Sequence, residues 1–192
     1  MTGPLHGAGQ TTGTFEMLSI AFKEWAVICE ALAAGRQALI LRKGGISEEN
    51  GEFRPEHAEF LLYPTYFHEH RTGIKPAFLP LLEHAEAARP KAGTVRFTHF
   101  VKVESVAHVA DLESALALDA QHAWTPDVVK QRFNYRTPGL YVLSVRAFKL
   151  AQPAEVFESP EYAGCKTWVQ LGAPVSTAGA EPVVLERGPL AR

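Results

Sequence analysis

The sequence predicts a single α+β domain, built as a small mixed barrel with helices at its periphery. The chain has 192 residues, 46% of them hydrophobic and 21% charged, which suits one domain with a core but not two large domains. Long stretches of alternating apolar residues predict strands, and helical stretches of unequal length separate them. Because no regular strand–helix–strand rhythm is present, this order favours α+β over a doubly wound parallel sheet.

The first element is predicted as a helix over residues 19–34, because apolar residues recur there at three- and four-residue steps. Ser19 would cap its start, and Gly35 would supply a left-handed stop. Two short apolar runs then predict buried strands at residues 38–41 and 60–63. We expect Pro64 to close the second of these strands.

The clearest strand is predicted over residues 95–106, where apolar and polar residues alternate. Its length is typical of a bent or barrel-forming strand. His99 falls on its apolar face, which favours a hydrogen-bonded core histidine, with a cavity-lining role as the alternative. The remaining predictions are helices at 76–88, 111–120 and 126–133 and strands at 140–150 and 167–171.

Composition also predicts where the domain begins and ends. Residues 1–16 are rich in Gly and Thr and predict a disordered tail, residues 17–172 form the single domain, and residues 173–192 predict a loose tail. Met17 directly precedes the first patterned segment, and our hypothesis is that it is the natural start.

Several function classes are excluded or disfavoured by composition. Two cysteines make no disulfide framework, which favours a reducing cytoplasm. No apolar run approaches the roughly 20 residues of a membrane-spanning helix. A net charge of −2 excludes a uniformly basic, non-specific nucleic-acid coat, although a local basic patch remains compatible with it. We therefore predict a cytoplasmic protein without membrane contact.

Four short segments carry a recognisable pattern: residues 22–26 (FKEWA), 41–46 (LRKGGI), 60–65 (FLLYPT, with His68) and 164–168 (GCKTW). Together they resemble a bacterial family, domain of unknown function 1802, and this resemblance implies no particular activity. One departure is visible, since Glu69 stands where the family tends to carry glutamine.

A second pattern consists of Gly35-Arg36 after the predicted helix, Arg42 at the end of the next strand, and Tyr63-Pro64-Thr65 on the strand after that. This order weakly resembles PUA-like domains of the ASCH and EVE types, which carry a Gly-Lys/Arg pair, a strand that ends in arginine, and a strand with Tyr-x-Thr. The resemblance implies a PUA-like partial barrel. ASCH domains usually carry a glutamate in the first strand, where this chain has residues 39–41 (LIL), so activity that depends on that glutamate is not expected.

The first candidate function is binding of a nucleic acid, through one splayed or modified nucleobase held in a small basic and aromatic pocket. At the end of a predicted strand, Arg42 and Lys43 precede two glycines, which could offer charge and open backbone N–H groups to a phosphate. The alternative is a solvated strand end and a glycine turn. The expected partner is RNA, DNA or a nucleotide-like small molecule. The expected binding residues are Lys23, Arg42, Lys43, Gly44, Gly45, Tyr63, Thr65 and Trp124, with Trp124 or Tyr63 stacking on a base.

Later in the chain, cations alternate with aromatic residues. Between residues 120 and 150 the sequence carries Lys130, Arg132, Arg136, Arg146 and Lys149 among Trp124, Phe133, Tyr135 and Tyr141. This mixture is typical of surfaces that bind single-stranded nucleic acid. The alternative is a solvated charged face above core aromatics.

The second candidate function is a small hydrolase or phosphodiesterase that uses His57, His68 and Glu69. Imidazole and carboxylate groups suit acid–base catalysis and could also hold a divalent metal. The segment contains no HExxH pattern, and His68 and His70 would point to opposite faces of an extended chain. We therefore expect no cofactor. A third possibility is a structural partner in a larger complex.

Overall fold

The computed structural model describes residues 17–44, 46–49, 52–66, 71–164 and 166–186. The predicted tail at residues 1–16 lies outside these ranges. The strands are β1 (Met17–Trp25), β2 (Leu39–Arg42), β3 (Ile46–Glu49), β4 (Glu52–Pro55), β5 (Glu59–Thr65), β6 (Thr94–Val109), β7 (Leu140–Phe157), β8 (Trp168–Ser176) and β9 (Glu181–Pro182). The helices are α1 (Ala26–Ala33), α2 (Leu79–Ala87), α3 (Leu112–Ala117) and α4 (Pro126–Asn134).

One mixed sheet organises the domain. Its strands lie in the order β2-β7-β6-β5-β1-β8, with β9 paired to β7, while β3 and β4 form a separate hairpin. The pairing of β1 with β5 is parallel, and the other pairings in the sheet are antiparallel. In the described part of the chain the sheet stays open between β2 and β8. The predicted α+β class, with one sheet as a partial barrel and helices around it, is confirmed.

Strand β5 is buried on both faces. Phe60 and Leu62 join the core cluster that also contains residues of α1, α2 and α4. Leu61 and Tyr63 point to the opposite face and pack in a second cluster with Phe97. A strand covered on both sides needs apolar residues at every position, which explains the continuous apolar run in the sequence.

The prediction of a helix from residue 19 is wrong for its first half. Residues 17–25 form β1, and the helix begins only at Ala26. Ser19 is no helix cap, and its backbone carbonyl accepts a hydrogen bond from the Gln170 side chain. Within β1, Ala21 and Phe22 belong to opposite core clusters, as period-two alternation requires. The helical spacing was misleading because it joined apolar residues of a strand to those of the helix that follows.

The observed bounds of the other elements differ less from the predicted bounds. Pro64 does not close β5 but lies inside it, opposite Glu24 of the parallel neighbour β1. Register shifts in the β6–β7 pairing, between Phe97 and His99 and between Val103 and Ser105, let two strands of 16 and 18 residues bend. The predicted strands at 95–106 and 140–150 are therefore present and longer than expected.

The domain boundary predicted at residue 172 falls inside β8, and ordered structure continues beyond it. Strand β9 pairs with β7, and the Val183 amide then donates to the Ala147 carbonyl at 2.9 Å. The Glu186 amide donates to the carbonyl of Gly35 at 2.8 Å, and Gly35 has the left-handed φ of 70° expected at a helix stop. The prediction of a loose tail is wrong for residues 173–186, because these pairings are made by backbone groups, which amino-acid composition does not reveal; residues 187–192 lie outside the described ranges.

Candidate functional site

A cleft opens where β1, β2 and α4 end. It has two lobes that meet at Lys43, Arg132 and Tyr135. The lobe on the side of Trp25, here called the Trp25 lobe, has a volume of about 890 Å³. The lobe on the side of Tyr141, the Tyr141 lobe, has a volume of about 710 Å³. Each volume lies in the range of sites for small ligands.

A buried ion pair forms one wall of the cleft. Glu24 at the end of β1 is only 3% exposed, and its Oε2 lies 3.2 Å from Nη1 of Arg42 at the end of β2. The Nη2 of Arg42 donates to Oγ1 of Thr167 at 2.8 Å, and its guanidinium lies 4.6 Å from the centre of the Phe22 ring. Arg42 thus borders the Tyr141 lobe, but much of its hydrogen-bonding capacity is used within the protein, and its role in binding stays a prediction.

Lys43 acts as a clamp on the loop that follows α4. Its Nζ donates to the carbonyls of Phe133 at 2.8 Å and Gly139 at 2.7 Å, and to the carbonyl of Thr137. An ammonium group has three N–H donors, and three carbonyls occupy them. Within this loop, Arg136 has a φ of 60°, the left-handed region that non-glycine residues rarely adopt. Lys43 therefore fixes the loop, and its contact with phosphate stays a prediction.

Arg132 lies at the junction of the two lobes and differs from its basic neighbours. Its guanidinium packs over Trp124 and Trp25, 4.6 and 5.1 Å from the ring centres. In the part of the chain that the structure describes, it makes no hydrogen bond and no ion pair. Burial lowers the pKa of Arg132, the Glu24 carboxylate opposes that shift, and the Arg42 charge adds to it. The result is a half-buried cation with open donors.

An aromatic ring and a second cation stand at the same junction. Tyr135 is 56% exposed, which is unusual for a large ring. Arg136 lies next to it, with its guanidinium 5.1 Å from the centre of the Tyr135 ring. The loop clamped by Lys43 therefore presents a flat ring and a positive charge on the solvent side of the cleft.

Three of the predicted binding residues lie at a different cavity. Lys23, Tyr63 and Thr65 line a space of about 500 Å³ on the other side of β1 and β5. Lys23 Nζ donates to the Gly164 carbonyl at 3.2 Å and to the Tyr162 carbonyl.

Two of these side chains are also engaged within the protein. The Tyr63 hydroxyl donates to Oε1 of Glu158 at 2.5 Å, and burial raises the pKa of Tyr63. Thr65 Oγ1 donates to the Glu24 carbonyl at 3.0 Å. The structure therefore separates this group from Arg42 and Lys43, which the sequence analysis had combined in one pocket.

The other predicted binding residues divide between the cleft and the core. Gly44 lines the Tyr141 lobe, whereas Gly45 lies outside the described residues. Trp124 was predicted to stack on a base, but it is only 2% exposed, and the Arg132 guanidinium packs on its ring. Its indole is buried because the Ile74 bridge and the ring of Trp25 cover it.

Only part of the predicted histidine cluster lies among the described residues. His57 lies edge-on to Trp168, with ring centres 5.0 Å apart, while His68 and Glu69 lie outside the described residues. Among the described residues, no group of three or more His, Cys, Asp or Glu side chains could hold a metal ion. The hydrolase reading stays a prediction.

His99 borders a separate cavity of about 600 Å³ between the helices α1 and α2 and the sheet. Its Nδ1 lies 2.9 Å from Thr98 Oγ1, and burial lowers its pKa to about 4. His99 is therefore a half-buried, neutral histidine that also lines a cavity, which combines features of both sequence interpretations.

A family model described as a domain of unknown function, DUF1802, matches residues 21–188. The chain belongs to the DUF1802 family. The resemblance found in the sequence is thus confirmed over nearly the whole described structure. A search of curated proteins finds no match to this DUF1802 member. Among the described residues, no helix is long and apolar enough to cross a membrane.

Among solved structures, this DUF1802 member is similar to crystal structures of ASCH from Zymomonas mobilis. A tyrosine-to-phenylalanine variant is 9% identical with a TM-score of 0.47, over 79% of this chain and 88% of that chain. A second structure of the protein is 11% identical with a TM-score of 0.42, over 74% of this chain and 88% of that chain. These structures are of the type named by the weaker resemblance in the sequence.

Proposed function

We propose that this DUF1802 member binds nucleic acid through the basic cleft. The observation that carries the proposal is Arg132, whose guanidinium lies against two indole rings with its N–H donors open towards the cleft. Among the described residues no group accepts a hydrogen bond from this guanidinium, so its N–H donors remain available to a ligand. A phosphate group supplies the acceptors and the opposite charge, and the planar fork of arginine matches its oxygens.

The lining of the Tyr141 lobe supports this proposal. Four cations border the lobe, and none of its described lining residues carries a carboxylate; the cations are Arg42, Lys43, Arg132 and Arg136. Exposed Tyr135 adds a ring on which a base can stack. A local field of this kind is compatible with a net charge of −2, because interactions between exposed charges are screened beyond about 8–10 Å.

Fluorescence anisotropy with labelled 12-residue RNA and DNA strands tests the proposal. We expect binding that weakens as salt rises, because bound cations release counterions from the phosphates. Arg132→Ala should weaken binding about tenfold or more, and Arg132→Lys should recover only part of the loss, since an ammonium lacks the planar fork. The salt dependence of the Arg132→Ala variant should be shallower than that of the wild type.

Arg96→Ala is the matched control, because Arg96 is a half-exposed arginine paired with Glu155 on β7 and lies outside both lobes. Thermal melts of each variant identify a loss of folding. The proposal is wrong if the wild type binds no strand at low salt, or if a folded Arg96→Ala protein loses as much affinity as folded Arg132→Ala.

A further inference from the structure

The two lobes of the cleft differ in chemistry, although they share Arg132. The Tyr141 lobe is cationic, as described above. The Trp25 lobe instead offers an aromatic ring and uncharged hydrogen-bonding groups from Thr72, Thr125 and Gln131. Its single described carboxylate, Asp127, is paired with Lys130 at 3.6 Å. One lobe therefore suits phosphate and sugar, whereas the other suits the flat face and polar edge of a base.

The position of Arg132 connects these two chemistries. It borders both lobes, together with Lys43 and Tyr135. Lys43 is occupied by three carbonyls, and Tyr135 carries a phenol ring and no basic group, so Arg132 is the open cation at this junction among the described residues that border both lobes. An anionic group held there would have one lobe on each side.

We infer that the cleft holds a single strand of nucleic acid over a two-nucleotide step, an inference that rests on the proposed function. One base occupies the Trp25 lobe, the phosphate that links the two nucleotides lies on Arg132, and the next nucleotide occupies the Tyr141 lobe. Its base stacks on Tyr135. The lobe volumes of about 890 and 710 Å³ allow one nucleotide each.

The contacts that each lobe offers favour a single-stranded ligand over a duplex. A base must leave its neighbours to place its face on Tyr135 or its edge in the Trp25 lobe, and bases in a duplex are stacked and paired. The Gln131 carboxamide both donates and accepts, so it can pair with an adenine edge, which carries one donor and one acceptor. Gln131 is therefore the expected source of base preference.

Competition against a labelled 12-residue single strand tests the two-nucleotide step. The competitors are the dinucleoside monophosphate ApA, 5′-AMP, and a 12-base-pair duplex. We expect ApA to displace the label at a concentration at least tenfold lower than 5′-AMP, and the duplex to compete less well than an unlabelled strand. If the label does not bind, the proposed function fails. If the label binds but 5′-AMP equals ApA, or the duplex equals the strand, only the two-nucleotide inference fails.

Variants at the two lobes assign the positions. Tyr135→Ala should weaken strand binding about tenfold through lost stacking, while Tyr135→Phe, which keeps the ring, should bind like the wild type. Gln131→Ala should abolish the difference in affinity between oligo-A and oligo-U strands and leave the salt dependence unchanged, since no charge is removed. Equal binding by Tyr135→Ala and Tyr135→Phe, or a base preference that survives Gln131→Ala, would overturn the assignment.

Discussion

Replacing Arg42 with alanine should lower the free energy of unfolding substantially, because Arg42 holds part of the fold together. The substitution leaves the Glu24 carboxylate, which is 3% exposed, without the guanidinium 3.2 Å away. It also removes the hydrogen bond to Thr167 Oγ1 and the stacking on Phe22. Three strands meet at this pair, because Glu24 is the penultimate residue of β1, Arg42 ends β2 and Thr167 directly precedes β8.

The size of the effect follows from the burial of the pair. Removing one partner of a buried ion pair typically costs about 3–5 kcal/mol, because the other charge stays desolvated. Glu24 keeps a hydrogen bond from the Trp25 amide at 2.8 Å and the nearby charge of Arg132. We therefore expect the lower end of that range, about 3 kcal/mol, or a fall of about 6–12 °C in Tm for a domain of this size.

Urea unfolding followed by circular dichroism measures this loss. The matched control is Arg136→Ala, which removes an exposed arginine from the same cleft and should change the free energy of unfolding by less than about 0.5 kcal/mol. The double variant Glu24→Gln/Arg42→Ala should recover part of the loss, since the orphaned charge is gone. A loss below about 1 kcal/mol for Arg42→Ala would refute the argument that the pair is a structural one.

Three further predictions concern other parts of the fold. Lys43→Met should accelerate proteolysis within residues 134–139 several-fold, because three carbonyls lose their hydrogen-bond donor. The control is Lys102→Met, which removes a lysine from an exposed ion pair. Gly35→Ala places a Cβ 2.2 Å from the Val184 carbonyl oxygen at a φ of 70°, so it should cost about 1–2 kcal/mol and speed thermolysin cleavage within residues 183–186. His122 is 1% exposed, and burial lowers its pKa to about 4 from 6.5, so the unfolded state binds the proton more tightly than the folded state. The free energy of unfolding should therefore fall by roughly 3 kcal/mol as the pH drops from 6.5 to 4. In urea unfolding at several pH values, His122→Phe should flatten that part of the pH profile.

The sequence predicted well those elements whose pattern is local. The helix at residues 126–133 was found because Thr125 and Pro126 mark its start, and the structure places Pro126 in its first turn. The strand ending at Arg42 was found from a short apolar run, and in the structure Arg42 and Lys43 line the Tyr141 lobe.

What the sequence could not supply is the contact between distant segments. The ion pair of Glu24 with Arg42 depends on which strands are neighbours, and no spacing in the chain encodes that. Trp124 looked available for stacking because an aromatic residue among cations has no local sign of burial. Arg132 was one of several cations in the basic and aromatic segment. Only the structure distinguishes it from the others, because only the structure shows that its guanidinium packs on two indole rings.

The place of β1 in the sheet has a consequence for the order of folding. During synthesis β1 is made before the other strands that the structure describes, but its two neighbours are β5 and β8, and Phe22 pairs with Trp168, which lies much later in the chain. One edge of β1 therefore stays unpaired until almost the whole domain has left the ribosome, and an unpaired apolar edge is prone to association with other chains. Thr167 joins the cleft with that same late strand, so its hydrogen bond from Arg42 forms only when folding is nearly complete, and a product that ends before Thr167 would lack this contact.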